Sequence, residues 1–377
     1  MEKVKACVYY GNQTMKIEEF PKPTVAADCA LLKVAACGIC GTDPHIYNGD
    51  LKVPTPIILG HEFSGIIEKM GKDFPKKDML GRRLKEGDRV ALGTTMNCGK
   101  CFFCRFTPHR NNMCTDCDIY GITMGIQNTP SIFGGYSEYV YLLPNSWVFK
   151  IPDDMPFEVA ALADPYACAT RTVERAFTPG NPSAWDSLGV GKSVVVQGLG
   201  TIGLLAAAAA KTAGACPVIG IESVPTRMEY AKKFGCDIVI DMNIYKTVEE
   251  RVSKVKELTN GLGADVVLEM AGVPKAFAES LELVRPGGKV IEFGHFSNVG
   301  TVPINPQIIV NKDLDIHGIF AYPNTQIAIS LNMLQNTKDR FPYQELITHR
   351  FTVDEAEKAI KAGRDKTCVK AMIVNPV

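Results

Sequence analysis

The chain has 377 residues, more than a usual ~150-residue domain, so two domains are expected. Hydrophobic residues make up 46% and charged residues 22%, ordinary for a globular protein with a sizeable core. Its 41 basic residues balance 41 acidic ones, which argues against nucleic-acid and membrane-surface partners, since both select a basic excess.

Residues 1 to about 165 alternate short β-type runs with Gly and Pro, at 4–9, 30–35, 64–68, 89–91 and 139–142. Strands so short and irregularly spaced predict an antiparallel, barrel-like domain carrying loops. From about 192 the texture changes. A β run at 192–197 precedes an Ala-rich helix at 201–213, a strand at 217–221 and a helix from Pro225. A strand at 237–241, a charged helix at 248–259 and strands at 265–270 and 289–293 continue the alternation. That pattern predicts a doubly wound parallel sheet, so the fold class is α/β. The tail carries helices at 326–335 and 354–362, a segment at 347–351 and a strand at 370–374. It reads as a return to the first domain. The charged start and the lack of an ~18-residue apolar run predict a soluble, cytoplasmic protein without a signal peptide.

Gly198-Leu-Gly200-Thr201-Ile202-Gly203 follows an apolar strand and opens a helix. Gly198 permits the tight turn, Gly200 lets the backbone approach a pyrophosphate, and Gly203 allows close helix–strand packing. Glu222 ends the next strand, nineteen residues after Gly203, where a carboxylate accepts the ribose hydroxyls of NAD and repels a 2′-phosphate. Arg227 complicates that choice: as a nearby cation it either favours a 2′-phosphate, packs on the adenine or sits in solvent. Gly272 and Gly294, after two later strands, complete the candidate cofactor contacts with Thr201 and Ile202.

Two further clusters carry metal-ligand chemistry. Cys37-Gly-Ile-Cys40-Gly-Thr42-Asp43-Pro-His45 and Gly60-His61-Glu62 together offer a thiolate, an imidazole and carboxylates. Such a set with a position left open makes a catalytic zinc site rather than a closed structural one. Cys98-x2-Cys101-x2-Cys104 is strong metal spacing, suited to a tetrahedral zinc held by four thiolates. Cys114 and Cys117 compete for the fourth place. With 13 cysteines, an odd total, thiols and ligands are expected rather than a disulfide framework. A zinc-ribbon nucleic-acid module is the other reading of the lobe, and the neutral charge argues against it.

Taken together these pieces closely resemble the zinc-containing alcohol dehydrogenases of the medium-chain dehydrogenase/reductase superfamily. The likeness covers most of the chain. It includes Gly60-His61-Glu62, Gly87-Asp88-Arg89-Val90, the cysteine lobe, Gly134-Gly135-Tyr136-Ser137-Glu138-Tyr139, the glycine fingerprint and Arg285-Pro286-Gly287-Gly288. It implies a GroES-like catalytic domain at 1–165 with a structural zinc lobe at about 96–118. A Rossmann domain at 166–324 and a C-terminal return at 325–377 would follow. By the same resemblance Cys40 and His61 match the first two catalytic-zinc ligands. Glu62 matches a carboxylate that ligates in polyol and threonine dehydrogenases, and Asp164 stands where relatives carry Cys or Glu. The missing second cysteine points to the polyol and threonine side of the family. Asn112-Met113-Cys114 resembles the end of the family's lobe, after a two-residue insertion near 108–111, so Cys114 is preferred as fourth thiolate. Thr42 and His45 match the family's proton relay, and Asp43 the carboxylate that orients His61. Cys37 is expected to be structural.

The expected function is therefore hydride transfer from a secondary alcohol, such as a polyol, sugar derivative or hydroxy acid, to NAD rather than NADP. Two zinc ions per chain and a homodimer or homotetramer accompany that expectation. An aldehyde or ketone reductase using NAD(P)H is the alternative, and a zinc-free nucleotide-binding protein on the same fold is the alternative of another class. Tyr47, Phe133 and Tyr166 are candidates for the substrate-pocket wall. Two longer segments, 72–85 and 178–188, are expected to be solvated loops.

Overall fold

The computed structural model of the chain describes residues 2–177 and 187–377. The predicted extension at 178–188 lies almost wholly outside them. Two compact units emerge, one of residues up to 167 with Tyr322–Asp339 and Tyr343–Val377, the other of 168–321 with Arg340–Pro342. No helix among the described residues is long and apolar enough to cross a membrane.

The first unit is built from β1 (Lys3–Gly11), β2 (Thr14–Pro21), β3 (Ala30–Gly38), β4 (Ile57–Ile58), β5 (Glu62–Met70) and β6 (Arg89–Gly93). The pairs β7 (Thr95–Met96) with β8 (Asp118–Ile119), then β9 (Tyr139–Leu142) and β10 (Trp147–Lys150), continue it. A three-stranded sheet runs β2-β1-β4. The larger sheet needs the C-terminal strands β17 (Ile347–Phe351) and β18 (Lys370–Val374). Its order is β10-β6-β5-β3-β18-β17, with β9 also on β3, and only β17–β18 is parallel. β3 is buried almost throughout because it lies inside that sheet, and its residues are accordingly apolar. β2 is the opposite case. Its Lys16, Glu18 and Glu19 hide the strand in the sequence, yet it forms as a charged edge along β1.

The segment 72–85 is anchored rather than freely solvated. Phe74 and Leu84 enter the core, and the buried Asp78 carboxylate accepts the backbone N–H groups of Leu80, Arg82 and Lys150.

The second unit holds β11 (Val194–Gln197), β12 (Val218–Glu222), β13 (Ile238–Asp241), β14 (Ala264–Glu269), β15 (Val284–Glu292) and β16 (Asp315–Gly318). All its ladders are parallel, in the order β13-β12-β11-β14-β15-β16. The winding reverses between β11 and β14, the crevice where open α/β sheets bind nucleotides. Helices begin where local chemistry dictates. Thr247 and Glu250 form a reciprocal capping box for Val248–Leu258, and proline opens Pro225–Lys233 and Pro274–Leu283. Val195, Ile219, Val267 and Val290 fill the core beneath them.

Asp265 ties this sheet together. One carboxylate oxygen accepts the Ser193 N–H and hydroxyl at 2.9 and 2.8 Å, and the other accepts Arg285 Nε at 2.8 Å. Burial raises its pKa, but the bonds from Arg285 and Ser193 outweigh that and hold it below the ordinary carboxylate value. The folded pKa is depressed, so this stabilisation is present above about pH 4 and is lost as pH falls through the folded value. Asp265→Asn should cost about 2 kcal/mol at pH 7. Urea melts should show the difference shrinking towards pH 3; a constant difference would assign the effect to packing.

Candidate functional site

The register of the first unit's large sheet brings the two zinc-type clusters together. Gly38 at the end of β3 lies opposite Glu62 at the start of β5. Cys40 follows two residues later, and His61 precedes Glu62. A Cβ on Gly38 would meet the Glu62 carboxylate and the Lys370 side chain, so a larger residue there would have to displace that ion pair. The Asp43 carboxylate fixes the turn between β3 and the helix Thr42–Asn48, accepting the Cys40 N–H at 2.7 Å and the Tyr136 hydroxyl at 2.8 Å.

Cys40, His61 and Glu62 each present a ligand atom within 4.8 Å of the others. Asp164 stands outside that group. It is buried on the helix Ala163–Arg175 and accepts a hydrogen bond from Tyr322. Burial pushes its carboxyl up to about 6, with His61 opposing and Glu62 reinforcing the shift. Burial pushes His61 down, but Cys40, Asp43 and Asp164 outweigh it and raise the imidazole to about 10. His61 and Asp43 share no hydrogen bond; Nδ1 of the one and Oδ1 of the other are buried without a partner. A pocket this negative, lined by sulfur, nitrogen and oxygen donors, fits a zinc ion with one position left for an exogenous oxygen.

Two participants were not foreseen. Lys370, wholly buried on β18, donates to the Ile39 carbonyl at 2.8 Å and forms an ion pair with Glu62. Its sequence signal was present, a single charge in the otherwise apolar run 368–374. Tyr322, the partner of Asp164, gave no signal, because 158 residues separate the two. Thr42 places its hydroxyl 3.4 Å from the Cys40 sulfur, and the ring of His45 is held by Asp50 at 3.1 Å. Cys37 is fully buried. Tyr47, Phe133 and Tyr166 are core residues: Tyr47 bonds Glu357, Phe133 packs edge-on to Tyr141, and Tyr166 bonds Tyr343.

Cys98, Cys101, Cys104 and Cys114 form a second group, again within 4.8 Å. The Cys101 and Cys114 sulfurs are 3.8 Å apart, and Cys98 and Cys104 4.0 Å. The Thr115 N–H holds the Cys101 thiol down to about 6, which favours the thiolate. Cys117 lies outside the group, its thiol donating to the Cys114 carbonyl. The residues between Cys104 and Cys114 turn as a short 3-10 stretch, Pro108–Met113, which returns Cys114 to the others.

In the second unit the glycine fingerprint has the backbone its spacing requires. Gly198 adopts φ +81°, a Cβ on Gly203 would strike the Gly198 carbonyl, and the space beside Gly200 is open. No side chain caps the helix Thr201–Thr212, so its first N–H groups can meet a phosphate. Glu222 is buried and accepts the N–H groups of Leu199, Ser223 and Val224 at 2.9, 2.7 and 3.0 Å. Arg227 lies 3.8 Å from the same carboxylate. Gly272 and Gly294 face each other closely; a Cβ on Gly272 would lie 2.5 Å from the Gly294 carbonyl oxygen.

Residues 26–153 match the family model of the alcohol dehydrogenase GroES-like domain, and 201–336 that of the zinc-binding dehydrogenase. Sorbitol dehydrogenase of Bacillus subtilis is 32% identical over 99% of this chain and 97% of its own length. L-Threonine 3-dehydrogenase of Thermococcus kodakarensis is 33% identical over 94% of this chain and 93% of its own. The crystal structure of an alcohol dehydrogenase from Thermotoga maritima superposes with a TM-score of 0.90 at 30% identity, covering 99% of this chain and 100% of that one. With the ligand groups and the nucleotide crevice built as described, the chain belongs to the zinc-dependent alcohol dehydrogenases of the medium-chain dehydrogenase/reductase superfamily, on their polyol- and threonine-dehydrogenase side.

Proposed function

We propose that this zinc-dependent oxidoreductase of secondary alcohols acts on a small polyol, sugar derivative or hydroxy acid and passes the hydride to NAD. The observation that carries the reading is the convergence of Cys40, His61 and Glu62 on one buried point. Cys40, His61 and Glu62 would hold the catalytic zinc, with Asp164 as a further ligand or a partner through water. Cys98, Cys101, Cys104 and Cys114 would hold a second, structural zinc. Zinc, when bound, supplies a Lewis acid that lowers the pKa of a substrate hydroxyl towards ~7. Thr42 borders that point and takes the hydroxyl proton while donating its own. His45, held by Asp50, passes the proton outward, and Asp43 keeps the Cys40 turn in place. NAD, when bound, would supply the hydride acceptor. Gly198, Gly200, Thr201, Ile202 and Gly203 would receive its pyrophosphate, Glu222 its ribose, and Gly272 and Gly294 its nicotinamide half. A homodimer or homotetramer in the cytoplasm completes the proposal.

A screen of sorbitol, other polyols, threonine and hydroxy acids with NAD+, followed by NADH absorbance, tests the reading. With the substrate that responds, kcat/KM should favour NAD+ over NADP+ by roughly tenfold or more, through repulsion of the 2′-phosphate by Glu222. Equal efficiency would mean that Arg227, 3.8 Å from Glu222, offsets the carboxylate. Thr42→Val keeps the shape without the hydroxyl and should lower kcat by roughly 10²-fold. His45→Gln should do less and respond to added buffer base, because solvent replaces a terminal acceptor. A neutral Thr42→Val with zinc still bound would send the proton by another path.

A further inference from the structure

The second unit holds a third group of ligand-type side chains. Glu269 ends β14, Glu292 ends β15, and His295 follows in the next turn. β14 and β15 are parallel neighbours with Glu269 directly opposite Glu292, so the ladder sets two carboxylates side by side. The turn then returns His295 over them. Each of the three offers an atom within 4.8 Å of the others. His295 Nδ1 lies 2.7 Å from Glu292 Oε1 and 3.6 Å from Glu269 Oε2.

Glu269 is wholly buried. Its Oε1 accepts the Ala271 and Gly272 N–H groups, whereas Oε2 faces His295, buried and without a hydrogen-bond partner. Glu292 Oε2 and His295 Nε2 are also buried and unpartnered. Among the described residues, His295 is the only ion-pair partner of either carboxylate. Glu269 is wholly buried and Glu292 half-buried, and unpartnered oxygens in such a place are costly. A divalent cation would give them a partner.

We propose that Glu269, Glu292 and His295 form a cation site for a divalent transition ion of the manganese–zinc class. Two carboxylate oxygens and one imidazole nitrogen suit such ions, and the lack of sulfur separates this site from the two cysteine-containing groups. The bound ion ties the end of β14 to the turn after β15. Gly272 and Gly294 stand on those two turns, and a Cβ on Gly294 would strike the Glu269 carboxylate. Cation binding therefore stiffens the loop pair assigned above to the nicotinamide half of the cofactor. That consequence rests on the proposed function; the binding itself does not.

Manganese discriminates the site, because thiolate-containing centres retain zinc against it. The full-length protein, with its zinc in place, is titrated with Mn2+ and free Mn2+ is followed by its electron paramagnetic resonance signal. The expected result is one saturable equivalent per chain, weakened roughly tenfold or more in His295→Ala and in Glu292→Gln. Thr42→Val, which keeps every cysteine, histidine and carboxylate, should leave this equivalent unchanged whatever it does to turnover, which separates the outcome from any failure of the dehydrogenase reading. His295 is partly exposed, so His295→Ala should fold even if Glu292→Gln does not, and a thermal melt without Mn2+ checks both. No saturable equivalent in the unmodified chain, or equal affinity in a folded His295→Ala, overturns the proposal and leaves adventitious surface binding only.

Discussion

Replacing Cys40 by Ser should lower kcat on the order of 10³-fold and remove one zinc per chain. A serine hydroxyl stays protonated near neutral pH and is a poor substitute for a thiolate, so His61 and Glu62 would be left to hold the ion. Losing the Lewis acid forfeits about 4 kcal/mol of transition-state stabilisation, which converts to that factor. The fold should survive, because the bond that shapes the turn comes from the Cys40 backbone N–H to Asp43 and does not involve the sulfur. Metal analysis and steady-state kinetics on the same sample check both parts. Unchanged activity with unchanged zinc would remove Cys40 from the ligand set.

Cys101→Ser should have its effect on stability instead. The lobe has little apolar interior: Phe102 and Phe106 are exposed, and the helix Phe102–Arg105 buries no residue. The four sulfurs lie within 4.8 Å of one another, and a structural zinc held there would be the principal closure of the segment between Cys98 and Cys114. Structural zinc contributes on the order of 10 kcal/mol in isolated peptides, and less is expected where the flanking strands are already folded. The expected outcome is loss of one zinc, a lower melting temperature and protease cleavage within the lobe. Cys117→Ser should leave all three unchanged, since its thiol only donates to the Cys114 carbonyl. An equal effect from Cys117→Ser would move the fourth ligand.

How much of this could be read in advance varied with the range of the interaction. The fingerprint at 198–203 was legible because its demands are local: a positive φ at Gly198, a close approach at Gly203 and an open face at Gly200. The parallel sheet was legible for a related reason, since its strands are buried on both faces and read as continuous apolar runs such as Val194–Gln197. The Cys98-x2-Cys101-x2-Cys104 spacing was equally local. β2 was not, because its charged residues conflict with strand patterning and only pairing with β1 makes it a strand.

The sequence by itself determined the α/β class, the glycine turn, the cysteine lobe and the residue types needed for the metal. Local backbone geometry and side-chain chemistry suffice for those. Only the tertiary structure decided which carboxylates meet which partners. The register Gly38↔Glu62 joins Cys40 to His61 and Glu62, while β18 delivers Lys370 to Glu62 across 308 residues. Tyr322 takes one oxygen of Asp164 and sets that carboxylate outside the tight group. Likewise the parallel register of β14 and β15, and no nearby motif, puts Glu269 beside Glu292. Ligand geometry depends on distances of a few ångströms, and across long separations those are set by sheet register and packing, which a linear pattern does not encode.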